Sequence, residues 1–212
     1  MSSLDLQEQE QVDALKHWWA ENGKWVIGAI IVALLGFAAT QFWKKYQTQQ
    51  SGEASKLYAE VEKQTQSNDP KRVNDAVAAL VNQFSGSAYA PRAQLLAVQT
   101  NLQAKDIARA KTQLQWVIEH AKESGLQDTA RLKLASILLD ESNYDEAMKH
   151  LNAAHPEAFT GLFSDLKGDV LNAQGKHAEA KAAYQLALEK MDEKSMYRNL
   201  VQLKLDGLGD VK

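Results

Sequence analysis

The sequence predicts an all-α protein in which an N-terminal transmembrane helix is followed by an α-solenoid of about four helix pairs and a capping helix. One uncharged run, residues 25–43, is long enough for the span. Two later segments repeat one pattern of small and large residues at an offset of 33. Beyond the run no stretch alternates apolar and polar residues as half-buried strands do, so a sheet is not expected.

The first 24 residues form a separate element. They hold five acidic and two basic side chains, so this segment carries a charge of −3, which equals the net charge of the whole chain. The apolar residues of this segment fall on one helical side: Val12, Leu15, Trp18 and Trp19. We predict a short amphipathic helix that ends at Asn22-Gly23, because Asn and Gly are common where helices terminate.

Residues 25–43 are predicted to be a single transmembrane helix. At about 1.5 Å per residue the run reaches roughly 28 Å, close to the hydrocarbon thickness of a bilayer. Trp25 and Trp43 stand at its two ends, where indole rings favour the headgroup boundary. Lys24, Lys44 and Lys45 flank the run and can hold their ammonium groups in water. We therefore expect contact with the lipid bilayer.

Two other interpretations of this run were weighed. A buried core helix would need protein on every side, whereas the rest of the chain is amphipathic. A cleaved signal peptide has small residues available at Ala38 and Thr40, but its leading region should be short and positive. The long acidic leader here favours a permanent anchor.

Charge counting does not decide the orientation. Two lysines precede the span within about 20 residues and four follow it, which mildly favours a cytoplasmic C-terminal body. The rule loses force for long translocated domains. From the charges alone, both orientations stay open.

The body shows the tetratricopeptide pattern, a repeat of about 34 residues that forms two antiparallel helices. In each copy a small residue and a large one precede a turn, and small and large residues follow it. The signature residues are Ala135, Leu138, Ala147 and Leu151 in one copy, and Gly168, Leu171, Ala180, Tyr184 and Ala187 in the next. Small residues let the paired helices approach closely, and the large ones fill the space between them.

The pattern weakens upstream without disappearing. Ala110, Leu114 and Val117 match the second helix of the repeat at an offset of 37. In Asn68-Asp69-Pro70, Asp69 can cap a helix and Pro70 can occupy its first turn. The predicted organisation is an amphipathic segment at 1–24, the span at 25–43, a linker at 44–52, a tetratricopeptide-like domain at 53–205 that ends in a capping helix, and a tail at 206–212.

No motif for catalysis, metal binding or cofactor binding is expected. The chain has no cysteine, and none of its five histidines shares the spacing that places two ligands on one helix face. Residues 44–212 carry 22 acids and 22 bases, so no basic surface for nucleic acid is predicted. Non-enzymatic protein binding is the expected activity, although an enzyme with an unfamiliar site was also considered.

Residues 10–25 read EQVDALKHWWAENGKW, and together with one span and a repeat body they resemble the YfgM family, the ancillary subunits of the bacterial SecYEG translocon. The most specific residues of this juxtamembrane motif are Lys16, Trp18, Trp19, Glu21, Asn22 and Gly23. The resemblance implies a single-pass inner-membrane protein of Gram-negative bacteria with a cytoplasmic N-terminus and a periplasmic repeat domain. It also implies association with SecYEG and with the membrane-anchored periplasmic chaperone PpiD.

The functional hypothesis that follows is an adaptor that links exported polypeptides to periplasmic chaperones. The alternative is a membrane-anchored regulator or assembly scaffold with another partner and a cytoplasmic body, as the lysine count suggests. The resemblance implies no catalytic or ligand-binding residues.

Overall fold

The computed structural model describes residues 3–67 and 69–209, with side chains from residue 10 onward. Every regular element in these ranges is a helix, which confirms the predicted all-α class. The helices are α1 Ser3–Thr65, α2 Pro70–Phe84, α3 Tyr89–Gln103, α4 Ile107–His120, α5 Ser124–Asp140, α6 Tyr144–Leu151, α7 Glu157–Ala173, α8 His177–Lys190 and α9 Tyr197–Gly207.

The chain divides into two compact units, Met1–Ser51 and Gly52–Lys212. In the described part of the chain, α1 is the one helix long and apolar enough to cross a membrane. Its most apolar window has a mean hydropathy of 2.0 and none of it is buried by protein. A bilayer would supply the cover that this surface lacks.

The predicted helix end at Asn22-Gly23 is wrong, because α1 continues through both residues. The side chain of Asn22 donates to the carbonyl oxygen of Trp18 at 3.1 Å, so it bonds within the helix. Gly23 does not take the positive φ of a helix-ending glycine. Instead it lies under the indole of Trp19, and a Cβ at this position would come within 3.2 Å of ring atoms. The glycine therefore makes room for an aromatic ring.

In the second unit, the two helices within each of three pairs are joined by a turn of the same geometry. Each pair, α3/α4, α5/α6 and α7/α8, has a three-residue connection whose middle residue has positive φ. These residues are Lys105 at 61°, Ser142 at 58° and Gly175 at 74°. In every case the next N–H donates to the carbonyl oxygen five residues back, which closes a Schellman-type helix end. The turns are 37 and 33 residues apart, the two offsets predicted from the sequence.

The small residue of each second helix follows its turn at a fixed distance. Ala110, Ala147 and Ala180 are completely buried, and each donates its N–H to the residue that precedes the helix. All nine predicted signature residues are buried. Helix α6 is short and ends at Leu151, so Ala154, which stands 33 residues before Ala187 and matches it at the repeat offset, lies beyond the helix and is exposed.

The two ends of the second unit differ: at the N-terminal end α1 and α2 share an apolar cluster that contains Val61 and Val73, and the C-terminal end is the single helix α9. At the N-terminal end Asp69 caps α2 by accepting from the N–H groups of Lys71 and Arg72, and Pro70 begins the helix, as predicted. Residue 68 lies outside the described residues. The predicted capping helix is α9, and Leu208, which was assigned to the tail, is partly buried against the last apolar cluster.

Candidate functional site

The predicted membrane-anchor residues lie on the exposed surface of α1. Trp25 and Trp43 are 75% and 66% exposed, and the Trp43 ring centroid lies 6.4 Å from that of Tyr46. An aromatic pair at this end of the apolar run is typical of a headgroup boundary. The anchoring role of the two tryptophans stays a prediction.

The side chains of the juxtamembrane motif lie on the surface of α1, and Gly23 is its one buried residue. Trp18 and Trp19 are each about half exposed, with ring centroids 6.5 Å apart. Lys16 pairs with Asp13 at 3.0 Å on the same helix. Each exposed ion pair of this kind contributes little to stability. The motif therefore presents two large indole faces that the first unit leaves open to lipid or to a partner.

A cleft of about 500 Å³ opens between α4 and α6, above α5. Its floor is apolar and consists of Trp116, Leu134 and Leu138. Its remaining lining residues are Lys111, Thr112, Gln115, Glu119, Glu146 and His150. Burial lowers the pKa of His150, although the nearby Glu146 carboxylate acts in the opposite direction. The cleft can accept an apolar side chain between polar rims of both charge signs.

The edges of this cleft are held in place by side-chain contacts. The indole of Trp116 stacks on the ring of His120, with centroids 4.5 Å apart and planes 7° from parallel. Lys111 bonds Glu141 at 2.7 Å and so connects α4 to the turn after α5. These contacts support a preformed cleft, which reduces the entropic cost of binding.

A partly buried polar cluster ties α9 to α7 and α8; we call it the ionic cluster. Lys204 Nζ donates to Asp165 at 2.9 and 3.0 Å and to Asp169 at 2.7 Å. The hydroxyl of Tyr184 donates to Asp169, and that of Tyr197 to Asp165, each at 2.8 Å. The side chain of Asp165 is only 2% exposed. One ammonium and two phenols thus satisfy two carboxylates.

The protonation states favour a structural role for the ionic cluster. Burial raises the pKa of Tyr184, and its hydrogen bond to Asp169 adds to the rise. Burial also raises the pKa of Tyr197, together with its bond to Asp165. For Lys204 burial lowers the pKa, but the two aspartates outweigh this effect and the pKa is raised. Each group keeps its proton at neutral pH, so none of the three acts as a base there.

Helix packing explains why this cluster forms. Gly168 brings α7 so close to α8 that a Cβ at this position would overlap the ring of Tyr184. The ring fills this space and its hydroxyl reaches Asp169. A cavity of about 480 Å³ adjoins the cluster and is lined in part by His177 and Lys204. Sequence reasoning placed Tyr184 in the core but missed the cluster, since its acids and its lysine are 35 to 39 residues apart.

A second polar cluster, the amide triad, lies near the N-terminal end of the repeat domain. Asn101 is fully buried and joins Asn74 on α2 to Gln113 on α4. Its Nδ2 donates to Asn74 at 3.0 Å and to Gln113 at 2.8 Å, and its Oδ1 accepts from Asn74 at 2.8 Å. Gln113 closes the ring by donating to Asn74 at 2.9 Å. The triad connects three helices through neutral groups alone.

A helix long and apolar enough to cross a membrane, followed by stacked helix pairs with one repeated turn geometry, is typical of a membrane-anchored tetratricopeptide-type repeat protein. Residues 16–210 match the tetratricopeptide repeat-like domain family. The chain is also 33% identical over 204 residues to the ancillary SecYEG translocon subunit of Neisseria gonorrhoeae, an alignment that covers 96% of this chain and 98% of that protein.

Two further relatives carry the same name. The Haemophilus influenzae protein is 26% identical, with 97% of this chain and 100% of that protein covered. The Escherichia coli protein is 24% identical, with 95% and 96% covered. The chain therefore belongs to the YfgM family of ancillary SecYEG translocon subunits, as the juxtamembrane motif predicted.

Proposed function

We propose that this protein is a non-enzymatic adaptor that associates with the SecYEG translocon and links exported polypeptides to periplasmic chaperones. The observation that carries the proposal is the alignment with the Neisseria gonorrhoeae translocon subunit, which runs through the juxtamembrane motif, the span and the repeats. The repeat domain supplies the means, because stacked helix pairs present extended protein-binding surfaces.

The mechanism is tethering. The span confines the repeat domain to the membrane surface near the translocon exit, so weak contacts with a client or with a chaperone such as PpiD become effectively intramolecular. The cleft between α4 and α6 offers a place for an apolar side chain of an unfolded client. Weak binding suits this role, since a client must be released again.

The proposed orientation has a cytoplasmic N-terminus and a periplasmic repeat domain. It follows the family and runs against the count of two lysines before the span and four after it. A reporter fused after Lys212 tests it. We expect the reporter to be protease-accessible from the periplasm, whereas fluorescence confined to the cytoplasm would support the alternative regulatory scaffold.

Crosslinking in native membranes tests the partners. With a photo-reactive residue in place of Trp116 in the cleft, we expect adducts with exported polypeptides, and with one in place of Trp18 we expect adducts with translocon subunits. The same probe in place of Gln185 on the exposed side of α8 serves as the control for random collision. If neither translocon nor chaperone adducts form above this control, the proposal is wrong.

The juxtamembrane motif is proposed to hold the translocon. We expect the double substitution Trp18→Ala and Trp19→Ala to reduce co-purification with the translocon from gently solubilised membranes. Trp25→Ala, which changes an indole at the lipid boundary, is the matched control and should retain the partners. Equal retention by both variants would assign the tryptophan pair to lipid only.

A further inference from the structure

The outward side of α9 is apolar. Met196, directly before the helix, and Leu200 and Leu203 within it are 90%, 45% and 68% exposed. Their spacing of four and three residues places them on one helical side, and we call them the α9 stripe. In the described part of the second unit, the other exposed large apolar side chains are Leu162, Leu186 and Tyr197. The stripe is therefore the densest exposed apolar patch of the repeat domain.

The stripe is not a by-product of a loosely packed end. Val201 on the opposite side of α9 is completely buried, and Leu205 and Leu208 pack on the same apolar cluster. Lys204 fixes the helix further through the ionic cluster. Terminal helices of repeat proteins usually carry a polar outer face that ends the stack. An apolar outer face instead suits the docking of one more helix.

Acidic side chains stand at both ends of the stripe. Asp192 and Glu193 precede Met196 by four and three residues, and Asp206 follows Leu203 by three. All three acids are exposed. Asp206 accepts from the neutral amide of Gln202, so its charge is not neutralised by this bond.

The bases of this region mostly point elsewhere. Lys204 is neutralised by two aspartates, and the guanidinium of Arg198 donates to the carbonyl oxygens of Leu188 and Met191 at the end of α8. Lys194 is exposed, and together with Arg198, whose charge the neutral carbonyls do not remove, it offsets two of the three acids. The ends of the stripe therefore keep a negative excess.

We propose that the α9 stripe docks a basic amphipathic helix of a partner protein, with leucine-like side chains on the stripe and Lys or Arg near its acidic ends. This inference rests on the proposed adaptor function and specifies one partner surface for it. A second copy of this chain would bring like charges together, and so would an anionic bilayer. Neither occupant fits as well as a basic helix.

Peptide binding to the full chain in nanodiscs of zwitterionic lipid tests the inference. The probe is a labelled synthetic helix with leucines at i, i+4 and i+7 and lysines at both ends, and its twin carries Glu for every Lys. After subtraction of the binding to empty nanodiscs, we expect the lysine peptide to bind about tenfold more tightly than its twin, or better. The double substitution Leu200→Gln and Leu203→Gln should weaken lysine-peptide binding by about tenfold or more.

Leu186→Gln is the matched control, since this leucine of α8 is 41% exposed, and it should bind as the wild type does. Circular dichroism checks the fold, and if the double variant unfolds, Leu203→Gln alone replaces it. Equal affinity for both peptides, or full binding by the stripe variant, overturns the proposal. The proposal is also overturned if the protein dimerises, or binds anionic lipid preferentially, and Leu203→Gln abolishes that dimerisation or lipid binding.

The two proposals fail separately. If the stripe variant keeps its translocon and chaperone crosslinks and the peptides do not bind, the adaptor function stands and the docking helix is wrong. If crosslinks are absent while the lysine peptide binds the stripe, the docking surface stands and its partner lies outside the translocon.

Discussion

The amide triad and the ionic cluster hold opposite ends of the repeat domain by different chemistry. The triad ties α2 to α3 and α4 through three neutral side chains that donate and accept in turn. The ionic cluster ties α9 to α7 and α8 through two carboxylates, one ammonium and two phenols. Helix α9 ends the stack and has neighbours on one side only, so hydrogen bonds supplement its apolar contacts, whereas α2 also shares an apolar cluster with Val61 of α1.

The charge of the ionic cluster makes it more sensitive to the loss of one member than the amide triad is. Amides in the triad carry no net charge, so the loss of one leaves partners that water or rotation can partly satisfy. Asp165 is buried, and its charge depends on Lys204 for neutralisation. Loss of that lysine leaves an uncompensated carboxylate, which is the more costly defect. We therefore expect the C-terminal end to be more sensitive to substitution and to pH.

The largest expected effect is that of Lys204→Met. It keeps most of the packing volume but removes the ammonium from Asp165 and Asp169, and should lower the free energy of unfolding by about 3 kcal/mol. Chemical denaturation of the full chain in micelles measures it. Lys194→Met, at an exposed lysine ten residues away, should stay within about 0.5 kcal/mol. A loss below about 1 kcal/mol for Lys204→Met would contradict the ionic interpretation.

Asn101→Ala should have the next largest effect. It removes both bonds to Asn74 and the bond to Gln113, and we expect a loss of about 2 kcal/mol in the free energy of unfolding. The exposed Asn199 on α9 provides the control, with Asn199→Ala expected to change little. If Asn101→Ala costs more than Lys204→Met under the same conditions, the ranking of the two ends is wrong.

Alkaline pH should weaken one end selectively. Lys204, Tyr184 and Tyr197 have raised pKa values in the folded state, so the folded protein binds their protons more tightly than the unfolded chain does. Their stabilising effect is complete below about pH 10, the range of the unfolded lysine and tyrosine pKa values, and is lost as pH rises above it. Unfolding measured from about pH 9 to about pH 11 should show this decline.

Two variants make the pH test specific. Lys204→Met should reduce the alkaline decline, because one titrating group of the cluster is gone, whereas Asn101→Ala should leave its slope unchanged. Tyr58 lies outside both clusters and has a pKa raised by burial, so it contributes the same background to every variant. Equal slopes in both variants would mean that Lys204 does not contribute to the alkaline loss.

The smallest effects are expected at the positive-φ turns within the helix pairs, since turns of this kind occur near both ends of the domain. Lys105, near the amide triad, and Ser142, in the middle repeat, have positive φ, so Lys105→Gly and Ser142→Gly should each stabilise by roughly 0.5 to 1 kcal/mol. Gly175→Ala, near the ionic cluster, should destabilise by about 1 kcal/mol. Thermal unfolding checks all three. Larger changes at Gly175 than this would mean that the turns contribute to the difference between the ends.

Local signals were enough to predict most elements of the fold. The apolar run, the capping Asp69 and the alternation of small and large residues each act within a few turns of helix, so their consequences can be derived from spacing. The same reasoning failed at Gly23, because a glycine ends a helix where it takes a positive φ, whereas Gly23 stays helical and the ring of Trp19 lies over it.

The candidate sites were less predictable. The repeat signature indicated which residues are buried, but the cleft beside Trp116 depends on the distance between α4 and α6, which no local pattern specifies. The α9 stripe could be recognised as three apolar residues on one helical side, yet its exposure depends on which side of α9 packs on α8. A rotation of this helix by half a turn would have buried the stripe.

The sequence by itself determined a helix apolar enough to cross a membrane and a helical repeat with two offsets, because hydrophobic length and small-residue spacing act locally, and the juxtamembrane motif indicated the family. Only the tertiary structure decided that Asp165 and Lys204, 39 residues apart, meet in one partly buried cluster while the α9 stripe stays open. Pairings at such separation depend on how each helix rotates as it packs on the previous one. That rotation results from the summed contacts of all its neighbours.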